Sequence, residues 1–324
     1  MNLNFPWLHA SYQHLYQQMA TGGLHHALLL AGQANIGKSQ LADAVAARLL
    51  CTGDQPDACG QCKSCLLMAS GSHPDLTLLT TEEKSRFIKV DQVRAITEKL
   101  AGSAQQGGNK VVIVKRADQL NLNAANALLK SLEEPTPNTY FVMMADDLDR
   151  LLPTIISRCH VQRVLSPSLD QSRQWLQGYA SNEAEVDTAL HIARMSPLKA
   201  LELLKAENGV TLPQIFEQLT LNASGRQTIG TTVKVLEKAD LAHEVIPVLH
   251  SALRQAISRR MDARVECPPV VDKLAQTLLD KQWAINGYFE LLDQCDKSVR
   301  LLTSATNPNP TLMIEDLLIR LAVR

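Results

Sequence analysis

Eight residues, Gly32-Gln33-Ala34-Asn35-Ile36-Gly37-Lys38-Ser39, read G-x-x-x-x-G-K-S. That spacing suits the binding of an anion. Glycines let backbone N–H groups wrap around one point, and a helix beginning there adds the positive end of its dipole. Lys38 would reach the outer phosphates of a nucleotide such as ATP or ADP, and Ser39 would hold its magnesium ion. A second set follows. Cys51, Cys59, Cys62 and Cys65 fall as C-x7-C-x2-C-x2-C among the polar residues Asp54, Gln55, Asp57, Gly60, Gln61 and Lys63. Four thiolates at such spacing suit one tetrahedral zinc ion, and a site with no open position is structural rather than catalytic. A third candidate is weaker. His73-Pro74-Asp75 offers a His-x-Asp pair for metal or acid–base work, but a turn ahead of a strand is the commoner reason for such a triplet.

These residues need elements to position them. Ala27–Ala31 is an apolar run ahead of the glycine loop, and 41–50 behind it carries good helix formers at apolar spacing, so strand, loop and helix succeed one another. Residues 6–23 read as a short helix feeding that strand. Leu76–Leu79, Ile88–Val90, Lys110–Val114, Tyr140–Met144 and His160–Val164 read as strands. Between them, Asp91 is expected to cap a helix through about Leu100, and Asn123 to Glu134 forms another, ended by Pro135. Leu151–Ile156 is a further helical stretch, leading through Ser157 into Arg158. Strands alternating with helices imply a parallel sheet with helices on both faces. After Ser166-Pro167 the strand signal stops. Residues 168–205 read as a small helical module with Trp175, Leu176, Leu190, Ile192 and Ala193 as core, and 206–211 as a linker. The remainder is helical, with breaks at Gly225, Gly230, Pro268-Pro269 and 307–310. The last helix, Thr311 to Val323, has an apolar face expected to pack on its own domain. Arg254, Arg259, Arg260 and Arg264 form a loose basic run, read as a solvated helix face.

The totals narrow the function classes. In 324 residues, 45% are hydrophobic and 20% charged, so a sizeable core forms and wholesale disorder is excluded. A net charge of −1 gives no global attraction to nucleic acid or anionic membranes, and 4% aromatics disfavours a base-stacking surface. No apolar run approaches the length of a membrane span, and the N-terminus carries no signal-peptide pattern, so the chain is expected in the cytoplasm. Seven cysteines in a reducing compartment are ligands or core residues rather than disulfides.

The order of motifs is specific. The phosphate loop and the four-cysteine insert are followed by a hydrophobic strand, by Asn126-Ala127-Leu128-Leu129-Lys130-Ser131-Leu132-Glu133-Glu134-Pro135, and by Ser157-Arg158-Cys159. This resembles the clamp-loader ATPases of the AAA+ class in bacterial DNA polymerase III, strongly over 25–165 and more weakly beyond. The resemblance implies an α/β AAA+ P-loop domain with parallel sheet and zinc insert (1–165, the insert at about 50–66). A small helical lid (166–207) and an all-α collar domain that oligomerises (208–324) would follow.

The family's motors carry Asp-Glu after the strand matching Lys110–Val114; here those places hold Lys115-Arg116. Two carboxylates that would hold magnesium and activate water have become cations. The motors' phosphate-sensing threonine falls on Ala145, and their lid arginine on Leu198, with Lys199 adjacent. Arg158 stays. The pattern resembles a non-hydrolysing member of the ring rather than a gamma/tau motor. On that reading Arg158 acts in trans on ATP held by a neighbouring gamma/tau subunit. Gly32, Gly37, Lys38 and Ser39 keep the form of a phosphate site, and Lys115 and Arg116 would supply the counter-charge for any polyphosphate bound there. The implied partners are the gamma/tau and delta subunits, with the sliding clamp and primed DNA met through the complex, and no membrane. Two rivals stand. One is an ATP-hydrolysing motor using Asp118 as a displaced acid, although proton abstraction needs hydrogen-bond reach to the water. The other is a zinc-dependent nucleic-acid-binding module. For Arg158 the bland alternative is a salt bridge to Asp146, Asp147 or Asp149.

Overall fold

The computed structural model describes residues 4–53, 55, 57–82, 85, 87–106, 108–205, 210–263, 265–302 and 308–323. The N-terminal residues read for a leader, the polar Asp54, Gly107, the linker positions 206–209, Arg264 and Asn307 lie outside the described residues. The chain forms two compact units, Met1–Pro167 and Ser168–Arg324.

In the first unit the order is α1 (His9–Ala20), β1 (Ala27–Ala31), α2 (Lys38–Leu50), α3 (Lys63–Ala69), β2 (Leu76–Leu79) and α4 (Val90–Leu100). Then come β3 (Lys110–Val114), α5 (Leu122–Glu133), β4 (Thr139–Ala145), α6 (Pro153–Ile156) and β5 (His160–Arg163). All pairings are parallel, in the order β2-β3-β4-β1-β5. Successive strand side chains point to opposite faces, so each strand feeds two cores. Ala27, Leu29, Val112, Val114, Phe141 and Met143 pack with Val93, Ile96, Leu128 and Leu132 of α4 and α5. Leu28, Leu30, Val111, Ile113, Val142 and Met144 pack with Leu15, Leu41 and Val45 of α1 and α2. Coverage on both faces is why these strands read as unbroken apolar runs.

Local chemistry moves several expected boundaries. Helix α4 begins at Val90, and Lys89 rather than Asp91 is its N-cap; the Gln92 side chain accepts from the Lys89 N–H at 2.9 Å. Asn121 caps α5 by accepting from the Ala124 N–H. Ile88 makes a single parallel bridge with Leu120, so the strand expected at 88–90 is one contact long. The helix expected over 151–156 is cut to Pro153–Ile156.

Every element described in the second unit is helical: α7 (Leu169–Leu176), α8 (Glu183–Ile192), α9 (Pro197–Leu204), α10 (Leu212–Ala223) and α11 (Ile229–Leu236) precede α12 (Ile246–Arg260), α13 (Pro269–Leu279), α14 (Ile285–Leu302) and α15 (Pro310–Val323). One apolar cluster runs from Leu176 and Leu190 through Leu253 and Tyr288 to Leu321, so the last helix packs within its own unit. Gly225, with φ +72°, ends α10 as expected, whereas Gly230 lies inside α11. Arg259 of the basic run is paired with Asp272 and Arg254 is exposed. Among the described residues no helix is long and apolar enough to cross a membrane.

Candidate functional site

The phosphate loop lies at the C-terminal end of β1, between β4 and β5. Gly32 is required there: a Cβ would stand 2.4 Å from the Val164 carbonyl oxygen. Gly37 takes φ +99° at the N-cap of α2, and a Cβ would stand 2.8 Å from Leu8 Cδ1. The loop is clasped from outside. The Trp7 indole N–H donates to the Ile36 carbonyl at 2.8 Å, and the Ser166 hydroxyl donates to Gln33 Oε1 at 3.0 Å. Ser39 is exposed at the second position of α2.

Lys38 is turned inward, with 6% of its side chain exposed. Its ammonium donates to the Gly32 and Gln33 carbonyls and to Asp146 Oδ1, each at 2.7 Å. An ammonium has three N–H groups, so its donors are fully used. Asp146 follows β4, whose Ala145 is in register with Ala31 of β1 and accepts from the Gly32 N–H. Its other oxygen faces Arg116 Nε at 3.6 Å, and Arg116 also bonds both Asp118 oxygens at 3.3 Å. Burial alone would pull the Arg116 pKa down; Asp118 and Asp146 outweigh it and hold it above the ordinary arginine value. Lys38, Asp146, Arg116 and Asp118 therefore sum to zero charge, where the sequence suggested a surplus of cations. Lys115 is exposed and lies near Asp43 of α2, whose carboxyl burial pushes up and Lys115 partly restores. Asp118, the displaced acid of the motor reading, is buried in this pairing.

The four sulfurs of Cys51, Cys59, Cys62 and Cys65 lie within 4.8 Å of one another. Cys51 and Cys62 are 4.0 Å apart, Cys59 and Cys65 3.9 Å. A tetrahedral ion with bonds of about 2.3 Å needs edges of about 3.8 Å, so one ion fits. Backbone N–H groups of Gly53 and Cys59 donate to the Cys51 sulfur, that of Cys62 to Cys59, and that of Cys65 to Cys62. Such bonds favour the thiolate, the form that takes a metal. Backbone donors at Thr52 and Cys65 pull Cys62 down to about 5, donors at Gln61 and Cys62 lower Cys59, and burial pushes Cys65 up to about 12. Gly53 passes so close that a Cβ would touch the Cys59 Cβ at 3.2 Å. His73 Nδ1 accepts from the Asp75 N–H, which leaves Nε2–H to donate to Ser64 of α3. Asp75 accepts from the N–H groups of Gln105 and Gln106. That pair braces the turn before β2.

Arg158 precedes β5, so it lies at the N-terminal edge of the parallel sheet, opposite the phosphate loop. A strand of five residues such as β1 separates those edges by about 16 Å. Its side chain is 33% exposed. Nε donates to Glu133 Oε1 at 2.6 Å, Nη2 pairs with the same carboxylate, and Nη1 donates to the Thr154 carbonyl at 2.9 Å. The carboxylate is Glu133, not Asp146, Asp147 or Asp149; Asp146 serves Lys38, and Asp147 pairs with Arg150. Glu133 ends α5, which returns antiparallel to the strands and so reaches the same edge. In the second unit, Lys199 bonds Glu202 at 3.0 Å and His243 Nδ1 at 3.2 Å, so its donors are turned within that unit.

A glycine-lysine loop on the strand between β4 and β5 of a parallel sheet defines a P-loop α/β protein, here followed by a helical unit. The family described as "DNA polymerase III, delta subunit" matches residues 7–167. DNA polymerase III subunit delta' of Haemophilus influenzae is 43% identical over 206 residues, and the alignment spans 63% of each chain. Its Escherichia coli counterpart is 34% identical over 328 residues, covering 98% of this chain and 95% of the relative. A solved gamma subunit-related protein of Thermotoga maritima superposes with a TM-score of 0.49 at 18% identity, covering 96% and 99% of the two chains. The chain belongs to the DNA polymerase III subunit delta' family.

Proposed function

We propose that this chain is a non-hydrolysing stator of the bacterial clamp loader. It presents Arg158 to ATP bound on an adjacent gamma/tau subunit and helps place the sliding clamp on primed DNA. The observation that carries this reading is the position of Arg158. It stands across the sheet from its own phosphate loop, partly exposed, where it serves no chemistry at home. Arginine suits the role because its planar charge meets phosphate oxygens and persists at physiological pH. The home site supports the same reading: Lys115 and Arg116 replace the motor carboxylates, Ala145 carries no hydroxyl, and Lys199 is engaged elsewhere.

In this proposal the gamma/tau and delta subunits are the direct partners, and the setting is the bacterial cytoplasm. Residues 166–207 act as a lid and 208–324 as the collar that oligomerises. The four cysteines hold one structural zinc ion; Cys51, Cys59, Cys62 and Cys65 supply its whole coordination, and the ion would cross-link the insert. Phosphate release tests the stator reading. The isolated chain should release none from ATP, and its addition to gamma/tau motors should raise theirs. Turnover by the isolated chain that disappears in Lys38→Ala would overturn it.

A further inference from the structure

Lys38 and Asp146 carry an inference that the stator reading does not contain. A phosphate loop takes a nucleotide because its lysine has an unmet charge and its N–H groups converge on empty space. Here the lysine charge is already met. Its three N–H groups end on Gly32, Gln33 and a carboxylate, and the side chain is 6% exposed. The carboxylate does not come from the loop. It arrives from the neighbouring strand, placed by the pairing of Ala31 with Ala145 and by the bond from the Gly32 N–H to the Ala145 carbonyl. Behind it, Arg116 and Asp118 complete a neutral set of four charges, with Arg116 where a motor would keep its water-activating acid. Trp7 and Ser166 hold the loop from two sides.

We propose that Asp146 is the resident anion of the phosphate loop, closing it to nucleoside triphosphates, and that neutralising this one side chain converts the loop into a working polyphosphate site. A triphosphate entering the wild-type loop would find its counter-charge taken and a fixed carboxylate within a few ångströms of its own oxygens. One like charge at about 4 Å and an effective dielectric near 20 weakens binding on the order of a thousandfold. The loop is kept in shape because it is a packing element of the sheet edge, with Lys38 and Asp146 as its internal tie.

Titration calorimetry on the full-length chain tests this, using magnesium-ATP and inorganic tripolyphosphate as the probes. Asp146→Asn should bind at least tenfold more tightly than wild type, and the double variant Lys38→Ala, Asp146→Asn should return to the wild-type level. Circular dichroism and melting of each variant verify that it is folded. Asp146→Ser gives the same test should the asparagine variant not fold. Wild-type binding to either probe that Lys38→Ala abolishes and Asp146→Asn does not strengthen would overturn the proposal. A folded Asp146→Asn that gains no affinity would overturn it as well.

Discussion

The two edges of one parallel sheet hold two cations, Lys38 and Arg158, in opposite states. At the C-terminal edge, Lys38 is buried and saturated by Asp146 and two carbonyls, inside a set of four charges that cancel. At the N-terminal edge, Arg158 is a third exposed and leans on one carboxylate that is itself about half exposed. Both cations have partners, so the presence of a salt bridge does not distinguish them. What distinguishes them is solvent. A pair in low dielectric is held by several kcal/mol of desolvation logic and releases its charge reluctantly. A pair at the surface is worth about 0–1 kcal/mol and can exchange its partner for a phosphate. One edge spends its cation on its own fold; at the other, the role proposed for Arg158 needs a cation that solvent can reach.

The cysteine cluster is the strongest way to sharpen that contrast, because its charge is met by neither route. Its sulfurs are surrounded by one another and by backbone N–H donors, which favour the thiolate at Cys59 and Cys62 without neutralising it, while burial opposes charge on Cys65. A structural zinc ion bound by such a set stabilises it by about 10–16 kcal/mol in apparent terms. Metal analysis should give about one zinc per chain. The double variant Cys62→Ser, Cys65→Ser should lose it, with proteolysis appearing first between β1–α2 and β2 while the sheet stays folded. Full zinc in that variant would remove the cluster from consideration.

Arg158→Ala comes next in size. A trans-acting arginine contributes roughly 10³–10⁵ to phosphoryl transfer where it serves alone. In a ring with several active sites only the one facing this subunit should suffer. The variant should fold and assemble normally, yet lower DNA-stimulated ATPase in part and slow clamp loading. Normal assembly with wild-type loading would leave Arg158 as a surface ion pair and erase the difference between the two edges.

Much of this was legible in the sequence, and what was not has a common cause. The strand, loop and helix around Gly32–Ser39 follow from local pattern, and the cysteines converge as their spacing implies. Helix ends shifted where a side chain outside the simplest rule took the cap, as Gln92 does for Lys89. The roles of Asp146 and Glu133 were not legible. Asp146 reaches Lys38 only because β4 lies beside β1, and Glu133 reaches Arg158 only because α5 returns to the edge where β5 begins. Both contacts depend on strand order, which composition and period do not encode. Asp146 could have been suspected once β4 was placed next to β1, since the residue after each strand then lines the same edge.

A smaller effect tests the buried edge without any ligand. Lys38→Met and Asp146→Asn should each destabilise the first unit by about 1–3 kcal/mol, because the first takes the main partner from the half-buried Asp146 carboxylate and the second leaves a buried ammonium under-bonded. The double variant should cost less than the sum, with a coupling of about 1–2 kcal/mol. Urea unfolding followed by Trp7 fluorescence, in a chain with Trp175 and Trp283 replaced by Phe, reads the unit that contains the loop. Strict additivity would mean the pair is no tighter than a surface contact.

The smallest expected effect belongs to Glu133→Gln. The substitution keeps an oxygen to accept from Arg158 Nε and removes only the charge. Because solvent reaches both partners, the loss should be under about 1 kcal/mol, and raising the salt should shrink it further as solvent ions screen the pair. Lys38 and Asp146 should show little such salt dependence, being largely shielded from the solvent that does the screening. The two edges are then compared by one measurement, the change in unfolding free energy between low and high salt for each charge-removing variant. If Glu133→Gln instead costs several kcal/mol and ignores salt, the Arg158 charge is as internal as that of Lys38. An arginine bound that firmly to its own chain could not turn to a phosphate on a neighbour without losing most of what the neighbour offers.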